Sequence, residues 1–243
     1  MSTTVRKPRL RPLSAVRVTL VVFGGPLVLL GGVAAPTVDA MRALRRGHRP
    51  RPRSAIALGV AAAYVVALAP MRGWGATPGE RTGTLAGDET VPDPGVQHTR
   101  AVTIAAPVAE VWPWLAQIGQ DRGGFYSYTW LENLAGCRMR NADRVHSEWQ
   151  GREVGEQLLL HHETGLQVLG IDEGRSLTLD GGWYFVLEPD GRDRSRLIAR
   201  WRCPRGALNT AFALLFDLPH FLMERRMLLG IKHRAEAAGR VPD

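Results

Sequence analysis

The sequence predicts an α+β domain that follows one or two membrane-spanning helices. Two long uncharged stretches lie near the start of the 243-residue chain. After Trp149 the apolar residues alternate with a period of two, which indicates β-strands, and the last part of the chain returns to a helical period. A run of antiparallel strands closed by a long helix is an α+β order, in which the helix must bury its apolar face against the concave side of a curved sheet.

The basic charge of the chain is confined to its N-terminal part. The 31 Lys and Arg residues exceed the 23 Asp and Glu residues, but eleven basic residues and one acid lie in residues 1–53, which leaves 20 basic and 22 acidic residues beyond them. Basic residues beside apolar stretches serve membrane topology, so we expect no nucleic-acid partner. The two cysteines, Cys137 and Cys203, are too few for a disulfide scaffold. The sequence leaves open whether they form one disulfide with each other.

The two apolar stretches are predicted membrane helices. The first covers residues 18–38 between a basic tail, 1–17, and a basic loop, 39–53, and the second covers 54–71. A cleavable signal peptide is the alternative for the first stretch. Because basic groups flank both stretches, the positive-inside rule leaves the side of the membrane that holds the following domain open. Glycine and proline are dense in 72–96, which predicts an extended linker.

The domain at 97–238 opens with a strand, His98–Ile104, and a helix that begins at Pro107. Apolar residues at helical spacing predict that this helix continues, bent at Pro113, until Gly119 ends it. A second short helix is expected from Ser127 as N-cap to Ala135.

Five further strands and a final helix complete the predicted domain. In the last strand, the alternation places Leu197 and Trp201 on a buried face and Arg200 with its basic neighbours on a wet one. The final helix is expected from Gly206 to Ala238 with a break at Asp217–Pro219, and residues 239–243 form a tail. The five strands are Glu153–Leu160, Leu166–Ile171, Ser176–Asp180, Trp183–Glu188 and Arg196–Cys203.

The stretches AVTIAAPVAEVWPWLAQIGQDRGGFYSYTWLENLAG, NADRVHSEWQGREVGEQLLL and HFLMERRMLLGIKHRAE resemble the START-like (SRPBCC) superfamily of helix-grip proteins. They are most similar to its membrane-anchored bacterial members. The resemblance implies a sheet wrapped around the final helix, a cavity for an apolar ligand and a location in a bacterial cell membrane. It implies no catalytic residue, since the superfamily has no universal catalytic set. The family usually has seven strands, so a further strand is sought within Arg144–Trp149.

The candidate ligand-contacting residues are aromatic, methionine or polar side chains near the expected cavity. They are Trp112, Phe125, Tyr126, Tyr128, Trp130, Glu132, Trp183, Phe185, Trp201, Phe216, His220, Met223 and Met227. His220, on an apolar helix face, could orient a ligand or act as a general base, although a buried structural histidine is commoner. Adjacent His161 and His162 should point to opposite faces of a strand, so we expect no metal and no cofactor.

Three functions remain open at this stage. The first is a membrane-anchored binding domain for a lipid or another hydrophobic small molecule. The second is a cyclase- or dehydratase-like enzyme, which requires two polar side chains to converge in the cavity, such as His220 with Tyr126 or Glu132. The third is a membrane-tethered interaction module whose cavity is filled by aromatic side chains. The sequence does not give the ligand or the oligomeric state.

Overall fold

The computed structural model describes residues 32–134 and 136–239. The helices are α1 (residues 32–45), α2 (Pro52–Arg72), α3 (Pro78–Thr82), α4 (Val108–Ala116), α5 (Thr129–Leu134) and α6 (Ala207–Ala238). The strands are β1 (Pro94–Ile104), β2 (Gln157–His161), β3 (Thr164–Asp172), β4 (Ser176–Leu179), β5 (Trp183–Pro189) and β6 (Ser195–Pro204).

All six strands belong to one sheet in the order β1-β6-β5-β4-β3-β2, and each neighbouring pair is antiparallel. The short turns between successive strands β2 to β6 allow each to pair with the next. This confirms the predicted α+β class. The further strand sought within Arg144–Trp149 is absent from the described chain, where Ser147–Trp149 forms a single 3₁₀ turn.

Helix α6 packs along the inner face of the sheet, as in a helix-grip fold. The alternation of β1 turns Arg100 and Ile104 toward the helix, and β6 contributes Leu197 to the same core. From α6, Met227 and Ile231 are buried against these strands. With 32 residues, α6 is about 48 Å long and reaches beyond the ends of most strands.

The predicted break in the final helix is wrong. Helix α6 is continuous through Pro219, although the missing N–H of that residue leaves the Leu215 carbonyl without its helical donor. Asp217 does not cap a helix start; its side chain is completely buried and pairs with residues from β1 and α2. Local sequence suggested a cap, but these long-range partners decide the conformation.

The outer face of the sheet is covered rather than wet. Residues 73–93, which we call the strap, contain α3 and lie over β1, β5 and β6. Arg196 Nε donates to Glu80 at 2.6 Å, and Arg200 Nη1 donates to Asp88 at 2.8 Å. Arg200 is therefore only 1% exposed. The prediction of an extended linker at 72–96 fails because its acidic residues neutralise the arginines of a distant strand.

Helix α2 is the single helix of the described chain that is long and apolar enough to cross a membrane. Several of its valine side chains are exposed to solvent, and Val66 is 73% exposed. Near its C-terminal end it packs against α6, where Tyr64 Oη donates to the Leu214 carbonyl at 2.8 Å. Most of the first predicted span, 18–38, lies outside the described residues, and its last seven residues belong to α1.

The two helices after β1 are shorter than predicted. Helix α4 begins after Pro107 and ends at Ala116, and Gly119 adopts a positive φ of 131° two residues beyond its cap. Ser127 is not a helix N-cap, because its hydroxyl donates to the Met223 carbonyl at 3.1 Å and so joins the α5 region to α6.

Candidate functional site

A group of buried charged residues lies between β1 and the middle of α6. It consists of His98, Arg100, Asp217, His220 and Glu224, which we call the ionic cluster. The first two share the inner face of β1 because residues two apart in a strand point to the same side. The other three are spaced by three and four residues, which places them on one side of α6.

Glu224 is held from three directions. Arg100 Nη1 donates to its Oε2 at 2.7 Å, and Trp183 Nε1 donates to its Oε1 at 2.6 Å. His220 Nε2 lies 3.4 Å from the same Oε1. Burial alone would raise the pKa of Glu224, but His220 and Arg100 outweigh it and hold the pKa well below the usual range. The carboxylate is therefore ionised at neutral pH.

Asp217 joins α6 to both β1 and α2. His98 Nε2 lies 3.0 Å from its Oδ1, and Arg72 Nε donates to its Oδ2 at 2.7 Å. Burial would raise the pKa of Asp217, but His98 and Arg72 lower it overall. Burial lowers the pKa of His98 to about 4 despite the nearby Asp217 carboxylate, so this imidazole is neutral at pH 7.

Most polar atoms of the ionic cluster have partners inside it, although His98 Nε2 and Asp217 Oδ1 lie 3.0 Å apart without forming a well-directed hydrogen bond. Besides Glu224, the guanidinium of Arg100 contacts both histidine Nδ1 atoms at 3.3 Å, and its Nε donates to the Met71 carbonyl. His220, the candidate general base, is thus engaged at both ring nitrogens and is 8% exposed. The arrangement favours a structural role, in which the cluster fastens the end of α2 and the sheet to α6.

Aromatic rings fill the space next to the ionic cluster, where the resemblance implied a cavity. Phe216 stacks on His220 at 5.0 Å and meets Trp201 at 6.0 Å between ring centroids. Trp183 approaches His220 at 5.9 Å. These four predicted ligand contacts are therefore brought together, but they contact one another.

The other predicted contacts are dispersed. The packed core holds Trp112, Phe125, Tyr126, Phe185 and Met227. The Tyr126 hydroxyl accepts from Gln117 Nε2 at 2.9 Å, and Tyr126 contacts α6 at Gly230, ten residues or about 15 Å from His220. Tyr126 and His220 therefore do not form the catalytic pair that an enzyme would require. Of the remaining four, Tyr128 lies near the Arg226 guanidinium, the Met223 carbonyl accepts from Ser127, and Trp130 is 67% exposed; the fourth is Glu132.

Glu132 is a buried carboxyl group without a strong partner. Burial raises its pKa to about 7, and its Oε2 has no hydrogen-bond partner among the residues described. Burial, together with Glu132, raises the pKa of nearby Cys137 to about 11, so this thiol stays protonated at neutral pH. Cys137 and Cys203 are both free and buried, so they do not form a disulfide with each other in this structure.

The prediction that His161 and His162 point to opposite faces is wrong. Strand β2 ends at His161, and His162 lies in the hairpin turn, so the ring centroids are only 3.8 Å apart. With Glu163 they place three potential ligand atoms within 4.8 Å of one another. His161 Nδ1 accepts the Glu163 N–H at 3.3 Å, which leaves Nε2 as the ligand atom that this ring can offer.

A cavity of about 260 Å³ lies between α4, the 150–152 loop and strands β3 and β4; we call it the α4 cavity. Its wall is mixed, with apolar side chains beside one buried cation, Arg152. Arg152 Nε donates to the Ala116 carbonyl at 3.0 Å, and Nη2 donates to the Ile118 carbonyl. The lining residues are Trp112, Ala116, Gln150, Gly151, Arg152, Ile171, Glu173 and Leu177.

A wider and more open groove of about 600 Å³ lies beside Val108, Gly174 and Pro189. The groove and the β3–β4 turn lie at the end of the sheet where β1 finishes. The C-terminal end of α6 lies at the same end, since Glu236 accepts a hydrogen bond from the Ala105 N–H. The α4 cavity borders the same β3–β4 turn. The ionic cluster and α2 lie further along α6, with Asp217 about 28 Å from Glu236 by helical rise.

Comparisons with known proteins give weak likenesses. No protein-family model and no curated protein matches the chain. A polyketide cyclase-like protein from Corynebacterium glutamicum is 18% identical, covers 59% of this chain and 93% of its own, and has a TM-score of 0.32. A conserved protein of unknown function from Enterococcus faecalis is 14% identical, covers 60% and 86%, and has a TM-score of 0.28.

The fold is of the helix-grip type. This assignment depends on the six-stranded antiparallel sheet and on the long C-terminal helix across its inner face. Sequence reasoning missed Arg100, Arg152 and Glu224 as functional candidates. For two of them a signal was present: Arg100 shares the inward register of β1, and Glu224 follows His220 by four residues. Arg152 lies in a loop, where no periodicity marks it.

Proposed function

We propose that the chain is a membrane-anchored START-like domain that binds a small hydrophobic molecule in the α4 cavity. The observation that carries the proposal is the cavity itself, whose wall combines Trp112, Ile171 and Leu177 with a few polar groups. Binding sites for small molecules are typically concave and mostly apolar, with a small number of polar groups that fix orientation. Trp112 is the one residue among the predicted ligand contacts that lines this cavity.

The volume limits the ligand. At about 30 Å³ per water molecule, 260 Å³ corresponds to about nine waters. This is slightly below the range of about 300–1,000 Å³ that is usual for ligand pockets. A ligand of one or two fused rings is of the right size, whereas a whole phospholipid is too large for the cavity as it stands.

Helix α2 supports the membrane anchor in this proposal. It has 21 residues, is uncharged from Ser54 to Met71, and exposes Val60, Val65 and Val66. A helix of that length and composition spans the hydrocarbon core of a bilayer. Only 17% of its most apolar window is buried against the rest of the chain, in contrast to the mostly buried core helix of a water-soluble domain.

The proposal is tested with the full chain in detergent micelles, with empty micelles as reference. Calorimetric titration with naphthalen-2-ylmethanol is expected to show saturable binding with a Kd on the order of 1 mM or tighter. Ala116 lines the cavity, so Ala116→Phe should weaken binding at least about tenfold. The matched control is Ala207→Phe at the exposed start of α6, which should bind like wild type.

Two results would overturn the proposal. One is the absence of saturable binding by the wild-type chain, and the other is equal binding by Ala116→Phe and Ala207→Phe when both are folded by circular dichroism. Either result would favour the interaction module with a filled cavity, because the rings of Trp183, Trp201 and Phe216 already occupy the space beside α6.

A further inference from the structure

Arg152 differs from the other buried arginines of the described chain. Arg100 and Arg200 are almost completely buried, and each forms an ion pair at 2.7 or 2.8 Å, with Glu224 and Asp88 respectively. Arg152 is 8% exposed, but no carboxylate oxygen of the described residues lies within 4.0 Å of it. Buried charges in proteins are normally paired, so an unpaired one requires an explanation.

The backbone satisfies Arg152 only in part. Nε and Nη2 donate to the carbonyls of Ala116 and Ile118, at the C-terminal end of α4, where the helix dipole favours a cation. Nη1 has no hydrogen-bond partner within the described chain, and three of the five guanidinium N–H groups are left over. Burial lowers the pKa of Arg152 to about 10, so the guanidinium remains charged at neutral pH.

We propose that the ligand of the α4 cavity carries a carboxylate that pairs with Arg152 while its apolar body contacts Trp112 and Leu177. This inference rests on the proposed function and specifies the chemical class of its ligand. A carboxylate accepts the remaining guanidinium N–H groups through charge-assisted hydrogen bonds, which are stronger than bonds to a neutral oxygen. It also neutralises a buried cation that forms no ion pair within the described residues.

The other charges near Arg152 do not fulfil this role. Glu156 already pairs with Arg122 at 2.8 Å. Asp121 and Glu173 are exposed, so solvent and salt screen them, although Glu173 lines the cavity and repels an anion there. Removing the charge of Glu173 should therefore strengthen carboxylate binding and leave a neutral ligand unaffected.

The test compares naphthalene-2-carboxylate with naphthalen-2-ylmethanol on the full chain in micelles. Wild type is expected to bind the carboxylate at least about tenfold more tightly than the alcohol. In Arg152→Gln the carboxylate should bind no more tightly than the alcohol, because Glu173 still repels it. In Glu173→Gln the carboxylate should bind about two- to threefold more tightly than in wild type, with no change for the alcohol.

The outcomes separate this inference from the proposed function. If the alcohol binds and the carboxylate binds no better, the anion site is refuted while the cavity stands; if neither probe binds, the proposed function fails as well. An unchanged preference for the carboxylate in folded Arg152→Gln also refutes it. Should Arg152→Gln not fold, Glu173→Gln decides: no gain for the carboxylate contradicts the inference.

Discussion

Replacing Glu224 by Gln tests whether the ionic cluster stabilises the junction between the sheet and α6. The substitution keeps the shape of the side chain and an oxygen for Trp183 Nε1, but it removes the charge that faces Arg100 at 2.7 Å. Breaking a buried ion pair by removing one partner costs about 3–5 kcal/mol. Asp217 still lies 3.6 Å from Arg100, so we expect the lower value, about 3 kcal/mol.

That loss should be visible in thermal unfolding. For a protein of this size, about 3 kcal/mol corresponds to a decrease in Tm of about 6–12 °C. The assay is unfolding of the full chain followed by circular dichroism, with Asp190→Asn as the matched control. Asp190 forms a surface pair with Arg194 at 3.0 Å, so its substitution should change the free energy of unfolding by less than about 0.5 kcal/mol.

The reasoning is refuted if Glu224→Gln unfolds within about 1 °C of Asp190→Asn. A double variant examines the same pair from the other side. Arg100→Met with Glu224→Met removes both charges, and buried pairs replaced by apolar residues are often neutral in stability. We therefore expect the double variant to be more stable than either single variant, and additive losses would contradict the ion-pair explanation.

Three further predictions concern pH, the strap and the anchor. Because folding holds the pKa of His98 near 4, below its ordinary 6.5, the unfolded chain takes up this proton first on acidification, which costs on the order of 3 kcal/mol of stability between pH 6.5 and 4. Folding raises the pKa of Glu132 to about 7, so this carboxyl group acts in the opposite direction over much of the same range, in wild type and in His98→Gln alike. Urea titrations at several pH values should therefore show that wild type loses about 3 kcal/mol relative to His98→Gln between pH 6.5 and 4, and parallel pH profiles would contradict this. Asp88→Asn leaves Arg200 buried without a charged partner, so it should lower the free energy of unfolding by about 3 kcal/mol in the same urea assay. A loss below about 1 kcal/mol would mean that the attachment of the strap does not depend on this ion pair. Val60→Arg places a charge near the middle of α2, at a cost of about 2.5–3.5 kcal/mol for insertion into a membrane. It should reduce the share of the chain in the carbonate-resistant membrane fraction, whereas Val154→Arg in the domain should not. Equal fractions would mean that α2 is not required to hold the chain in the membrane.

Local periodicity predicted all six strands, although β1 and β2 each begin four residues away from the predicted start. Strands β5 and β6 lie within one residue of their predicted ends because alternating apolar residues leave few other registers. The same reasoning failed on the outer face. It treated Arg200 as solvent-exposed, since its partner Asp88 lies 112 residues away in a stretch rich in glycine and proline. A pattern confined to one strand contains no information about such a partner.

The candidate site was harder to predict than the fold. Asp217 followed by Leu218 and Pro219 has the local form of a helix start, yet Arg72 and His98 bind its carboxylate inside a continuous helix. Beside α6 the structure brings together four of the predicted contacts, Trp183, Trp201, Phe216 and His220. Whether such rings surround a cavity or fill it depends on side-chain packing that the sequence does not specify. The α4 cavity depends on Arg152 in an irregular loop, which periodicity does not report.

The bonds at the end of α2 determine how the domain is held. A flexible chain of the 25 residues at 72–96 would give a root-mean-square reach of about 25–30 Å and free rotation. Instead, the Met71 carbonyl and the Arg72 side chain are bonded directly to Arg100 and Asp217, and the strap is pinned along the sheet. Helix α2 and the domain are thus joined rigidly rather than through a flexible linker. If α2 is the proposed membrane anchor, this rigid junction fixes which side of the domain faces the membrane.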